Sequence, residues 1–301
     1  MLPIFEHYNG IIPEFPLFQE VIHRPFIPHL RVNRLKVEPA ILVDAFLKKG
    51  VNIVSSTKQV DYTFFMPGLY SPGNLPEYFL GYIHPQALTS CLASIILSPK
   101  EDSLVLDMCA SPGGKTAHMA QIMGNSGLIV ANELYPSRHL SLGNTLNRLG
   151  ILNTVVTSYQ AQEFPLGQKF DYVLADVPCS GEGMFRKTRK GMRYKEKMKK
   201  GRLPDLQKKI IIRGYDLLKA GGQMLYSTCT YNPDENEAVV NYLLENRDAE
   251  LLPIEMDLRY SPGIIAWMEK IYDKRIEKTI RLYPHWVDSV GFFMARISKR
   301  A

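Results

Sequence analysis

Two of the chain's four cysteines stand directly after strand-like apolar runs. In FDYVLADVPCSGEGMFRK, Asp176, Pro178 and Cys179 follow one run, and in GGQMLYSTCTYNPDENE, Cys229 follows another. Structural cysteines usually lie inside elements, whereas a thiol at the carboxyl end of a strand faces the crevice in which α/β proteins hold their ligands. A thiolate placed there is a nucleophile. Beside a methyl donor, the chemistry that needs such a thiol is C5 methylation of a pyrimidine. C5 of cytosine is too weak a nucleophile unaided, and addition of a thiolate at C6 makes it enamine-like. A carboxyl group near N3 and the exocyclic amine would stabilise that adduct, with Asp176 as the candidate, and the base has to leave its stack to reach the pocket. These residues alone leave open whether Cys179 or Cys229 attacks.

The methyl donor is expected one strand away. LVLDMCASPGGKTAHMA puts an acid at a strand end, a loop of small residues and then a helix from about Lys115. The spacing excludes a Walker A motif, because the required first glycine falls at Cys109, and no GxGxxG fingerprint is present. What remains is a tight turn in which Gly113 and Gly114 have no Cβ to obstruct close approach of a ligand. The next strand ends in Asn132-Glu133, where a carboxylate suits the two hydroxyls of a ribose, and Arg138 follows on the next helix for an anionic part of the same ligand. A nucleoside ligand without a phosphate fits, and S-adenosylmethionine answers that description.

These loops need a parallel sheet to carry them. From Ser103 onward, short apolar strands alternate with helical stretches at Lys115 to Met123, Ser137 to Gly150, Pro204 to Ala220 and Asp234 to Asn246. Such alternation implies an α/β fold with helices on both faces of a mostly parallel sheet. RLYP and GFFMARISK read as a closing hairpin at the sheet edge. The first 100 residues are punctuated by proline, with one small α/β module between the clusters: a strand, a helix from about Pro39 to Lys49 and a strand.

The chain has 301 residues and a net charge of +6. RKTRKGMRYKEKMKKGR, from Arg186 to Arg202, holds ten Lys/Arg and one acid, while the remainder holds 26 basic and 29 acidic residues. A basic excess confined to one segment points to a polyanion, and Arg186, Lys187, Arg189, Lys190 and Arg193 are expected to face RNA. No apolar stretch reaches the roughly 18 residues of a membrane helix, and no cysteine spacing suits zinc. A soluble, cytoplasmic monomer without metal is expected, nuclear or nucleolar if eukaryotic. Cys91 and Cys109 read as packing residues, Phe292 and Phe293 as core, and His84, His118 and His285 lack ligand spacing.

DMCASPGGKT, ANE, DVPCSGEGM, YSTCT with PDENEAVV, and DSVGFFMARISK follow one another in order, preceded by RVNRLK and GYIHPQALTSCLAS. From about Arg31 to Lys299 the chain resembles the Nop/Sun family of RNA cytosine-C5 methyltransferases. The resemblance implies a class I (Rossmann-like) methyltransferase domain over residues 101–301, after an N-terminal extension and small RNA-binding module over 1–100. It implies Cys229 as nucleophile and Cys179 as the residue that helps release product, since RNA enzymes of this type attack with the cysteine of the TC motif. Lys115 and Asp176 would line the cytosine pocket. The loop Cys109, Ala110, Ser111, Pro112, Gly113, Gly114 and Lys115 would hold S-adenosylmethionine, with Glu133, Arg138, Gln160 and Asp176. Gln160 stands where the family usually has Asp, so the adenine amine would meet a neutral acceptor. The expected substrate is tRNA, with ribosomal RNA as the alternative, as is a non-catalytic RNA-binding assembly factor. A DNA methyltransferase is disfavoured by the TC motif and by the lack of a long target-recognition insertion.

Overall fold

The structure is a computed structural model that describes residues 5–24, 26–69, 71–187 and 203–300. It opens with α1 (Phe15–Ile22). The small module follows, with β1 (His29–Val32), α2 (Pro39–Lys48), β2 (Val54–Ser55), β3 (Thr63–Phe65), α3 (Pro76–Phe79) and β4 (Ile83–Pro85). Its sheet runs β2-β3-β1-β4, every pair antiparallel. Pro39 sits at the first helical position of α2, where its missing N–H costs no hydrogen bond.

Helix α4 (Leu88–Leu97) leads into β5 (Leu104–Asp107), α5 (Gly114–Ile122), β6 (Leu128–Asn132), α6 (Pro136–Leu149), β7 (Thr154–Thr157) and β8 (Phe170–Asp176). After these come α7 (Leu203–Asp216), β9 (Leu218–Thr228), α8 (Glu237–Asn246), β10 (Ala249–Leu252), β11 (Ser261–Pro262), β12 (Ala266–Trp267), β13 (Lys270–Ile271), β14 (Ile280–Leu282), α9 (Pro284–Val287) and β15 (Phe292–Lys299). The large sheet runs β11-β14-β15-β9-β8-β5-β6-β7, with β10 also on β15. Strands β5 to β9 are parallel and β15 is antiparallel to β9. FDYVLAD forms β8 because a parallel strand covered on both faces takes a continuous apolar run, and its Tyr172 to Ala175 are buried. Strand order reverses between β5 and β8, which opens a crevice at their carboxyl ends.

The closing hairpin departs from expectation. β15 is not an edge strand: β9 pairs along one side, while β14 and β10 share the other. The strands that cover that side are only three and four residues long, too short to leave a periodic signature. The helix expected from Pro204 to Ala220 stops at Asp216, and Lys219 to Gly222 join β9 instead. The one expected from Asp234 begins at Glu237, because residues 233–236 form a turn whose Glu235 serves the site. α4 packs on α5, β9 and β15, and residues 5–22 bury Phe5, Tyr8, Phe15 and Phe18 against Tyr231 and Tyr283. The first 100 residues thus divide between the small module and the flank of the large sheet.

Candidate active site

Register brings the chemistry together. Asp176 on β8 pairs with Ser227 on β9, so the Val177-Pro178-Cys179 exit runs level with Thr228-Cys229. The two thiols lie 3.2 Å apart, and the Cys229 N–H also donates to Cys179 Sγ at 3.4 Å. Their environments push them in opposite directions. The hydrogen bond from the Cys179 thiol lowers Cys229 below the usual thiol range, helped by the Lys115 ammonium and opposed by burial and Asp176. The same hydrogen bond, then burial, holds Cys179 well above that range. The contact thus favours the thiolate on Cys229 over that on Cys179.

Lys115, in the first turn of α5, places Nζ 2.7 Å from Asp176 Oδ2, and Ser227 Oγ donates to Oδ1 at 2.7 Å. Burial would lower the Lys115 ammonium's pKa, yet the Asp176 carboxylate outweighs it and keeps the side chain charged. Its Nζ also lies 5.4 Å from the centroid of the Phe292 ring. Asp107, at the end of β5, accepts from Thr116 Oγ1 at 2.7 Å, and burial pushes its carboxyl up to about 7. Lys115, Asp176, Cys229 and Phe292 line a cleft of about 510 Å³ together with His29, His84 and Gln86 from the small module.

Buried acids hold the thiol loops in place. Glu235 accepts from Ser180 N and Gln207 Nε2, both at 2.9 Å. Glu182 accepts from Thr230 Oγ1 at 3.0 Å and from the Tyr8 hydroxyl at 2.9 Å. Gly183 N–H donates to the Cys229 carbonyl at 2.9 Å and its own carbonyl accepts from Gly291 N–H at 3.0 Å. Sequence reasoning passes over these residues as functional candidates, although GEG and PDENE are visible signals. It sets His84 aside for lack of ligand spacing and passes over Gln86, with HPQ as their visible signal.

The expected cofactor loop follows β5 directly, and its Pro112, Gly114 and Lys115 line the same cleft. Glu133 is buried; Oε1 accepts from Tyr135 N at 3.0 Å and Oε2 lies 3.1 Å from Arg138 Nη1. Arg138 Nη2 donates to the Ser111 carbonyl at 2.7 Å, so this guanidinium ties the loop to α6. Gly113 has φ +100°, and a Cβ there would come within 3.0 Å of Leu142 Cδ1 on α6; helix packing demands this glycine. Ala110 is buried, Pro112 is exposed, and burial pushes the half-buried Cys109 thiol up. Gln160 is exposed, its Oε1 accepting from Gln162 Nε2 at 2.7 Å. The donor set suits S-adenosylmethionine: a carboxylate for the ribose, a neutral carbonyl for the adenine amine, and a backbone turn free of bulky side chains.

One expectation is corrected. Arg186 does not face RNA: it is buried, with Nη2 2.7 Å from Asp288 Oδ1 and Nε donating to the Arg24 carbonyl at 3.4 Å. A guanidinium at the root of a basic run can anchor the fold as readily as bind phosphate, and sequence does not separate the two uses. Arg189, Lys190 and Arg193 lie outside the described residues, as does the side chain of Lys187.

A family model described as 16S rRNA methyltransferase RsmB/F matches residues 94–298. A tRNA (cytosine(49)-C(5))-methyltransferase of Pyrococcus abyssi is 37% identical over 94% of this chain and 91% of its own length. The human 28S rRNA (cytosine(4447)-C(5))-methyltransferase is 36% identical over 95% of this chain, which spans only 36% of that protein. Among solved structures, a methyltransferase homolog protein from Pyrococcus horikoshii superposes with a TM-score of 0.82 at 32% identity, over 94% of this chain and 90% of that one.

Proposed function

The chain belongs to the Nop/Sun (RsmB/F) family of S-adenosylmethionine-dependent RNA cytosine-C5 methyltransferases, and from that premise we propose that it methylates a cytosine of tRNA with Cys229 as nucleophile. The observation that carries the mechanism is the thiol pair, 3.2 Å apart, with Cys229 lowered below the usual thiol range by its contact with Cys179. A flipped cytosine in the cleft takes the Cys229 sulfur at C6. The ion pair of Lys115 and Asp176 holds the N3 and exocyclic amine edge, where charge changes as C6 is attacked. S-adenosylmethionine, held by Glu133, Gln160 and the loop 109–115, supplies an electrophilic methyl group for the activated C5. Once Cys229 is bonded to C6 and no longer draws on its proton, Cys179 ionises to solvent and its thiolate takes the C5 proton, so the C6–S bond breaks and the Cys229 thiolate is returned. The small module and the basic segment are the RNA-contacting parts in this reading.

Similarity over nearly the full length of a tRNA enzyme supports tRNA over ribosomal RNA. Incubation with S-adenosylmethionine and separate pools of unmodified tRNA and ribosomal RNA, read by bisulfite sequencing, tests this. New 5-methylcytosine confined to tRNA is the expected result. Methylation of the ribosomal pool alone contradicts it.

A further inference from the structure

His84 has one fixed tautomer. Arg148 Nη2 lies 2.9 Å from His84 Nδ1, and a guanidinium only donates, so Nδ1 is the acceptor and the proton sits on Nε2. Burial, with Arg31 and Arg148 adding to it, pulls the imidazole down to about 3 and keeps it neutral. Nε2 is turned toward the first turn of α5: a Cβ on Gly114 would come within 3.0 Å of it. Among the described residues nothing accepts from Nε2, and His84, Gly114 and Lys115 all line the catalytic cleft. The charges that act on this imidazole are the guanidiniums of Arg31 and Arg148. Arg31 is fully buried with Nη2 unbonded, and neither Arg31 nor Arg148 has a carboxylate partner among the described residues. The neutral N–H donor faces the N-terminus of α5, and the nearby charges of Arg31 and Arg148 add to a setting where an anion would be stabilised.

We infer that His84 Nε2–H is an oxyanion donor for a ligand in the cleft, binding either the carboxylate at the amino-acid end of the cofactor or the phosphate beside the target cytidine. This rests on the methyltransferase reading above and adds to it a specificity residue supplied by the small module. Glycine at 114 keeps the space over α5 open for that oxygen.

Binding measurements with matched charged and neutral ligands test the assignment. One pair is S-adenosylhomocysteine and the same compound without its carboxylate, followed by calorimetry. The other is substrate RNA with an ordinary phosphate or a methylphosphonate beside the target cytidine. Wild-type protein should prefer the charged member of one pair. His84→Leu should weaken that member by roughly 10- to 100-fold, as for a hydrogen bond to a charged group, while leaving its neutral counterpart unchanged. His84→Gln, which keeps a donor, should restore most of the loss. Selective loss in the cofactor pair assigns the carboxylate, and selective loss in the RNA pair assigns the phosphate. Equal loss for charged and neutral members in both pairs, no loss in either, or a wild type that prefers neither charged member overturns the role. Retained binding of S-adenosylhomocysteine would leave the methyltransferase reading intact.

Discussion

At the scale of single residues, the site is a pair of chemically identical thiols made unlike by one proton. Their contact raises Cys179 and lowers Cys229, and Lys115 adds positive charge beside Cys229. The sequence placed both cysteines at strand ends without separating them; what separates them is the opposite effect of their contact and surroundings on the two thiols, which no spacing records. The arrangement has a consequence for pH. Removing the donor in Cys179→Ala raises the Cys229 pKa, so less thiolate is present at a given pH below the new value. The acid limb of adduct formation should therefore move to higher pH than in wild type, measured as the single-turnover rate of protein–RNA crosslinking across pH 5 to 10. A limb that stays in place or moves to lower pH would assign the lowered thiol of Cys229 to another cause.

Among elements, the loops after β8, β9 and α9 are locked by backbone contact. A Cβ on Gly183 would come within 2.3 Å of the Gly291 carbonyl oxygen and 2.9 Å of the Cys229 carbonyl oxygen. Gly183→Ala must push these loops apart, with a stability cost of about 1–3 kcal/mol as for other overpacked sites. Chemical denaturation should show that loss, and kcat should fall further than KM rises, because the thiols separate before the cofactor loop is disturbed. An unchanged kcat would mean that the two loops move independently. The strands that bear the site were legible as apolar runs in LVLD, LIVAN and FDYVLAD, since parallel strands buried on both faces leave that mark. The acids that brace the loops were not. Glu182 and Glu235 are buried, yet acidic residues in a polar loop read as solvent-facing until the fold covers them.

Across the whole molecule, pairings between segments far apart in the chain are what the sequence hid. Residues 5–22 lie against the C-terminal part of the chain, with the Tyr283 hydroxyl donating to the Ile11 carbonyl at 3.3 Å and Trp286 Nε1 to Glu14 at 2.8 Å. Nothing local in FPLFQEVI states that partner. Charge behaves differently, since a concentrated basic run is visible at once, and among the described residues its root, Arg186, is structural. Neutralising Lys187, Arg189, Lys190 and Arg193 together should weaken RNA binding and flatten log K against log salt, by up to about 0.9 for each duplex phosphate that is no longer neutralised. Arg186→Ala should instead lower thermal stability, by removing the pair with Asp288, and leave the slope unchanged. A slope unaffected by the four neutralisations would remove the segment from the RNA interface. The central claim, covalent catalysis by Cys229, is tested most directly by denaturing electrophoresis of each cysteine variant with substrate RNA and S-adenosylmethionine. Cys179→Ala should leave a protein–RNA complex that survives denaturation, because C5 is methylated but the adduct collapses slowly, while Cys229→Ala should form none. A complex trapped by Cys229→Ala and absent from Cys179→Ala would contradict the account and give the nucleophile's role to Cys179.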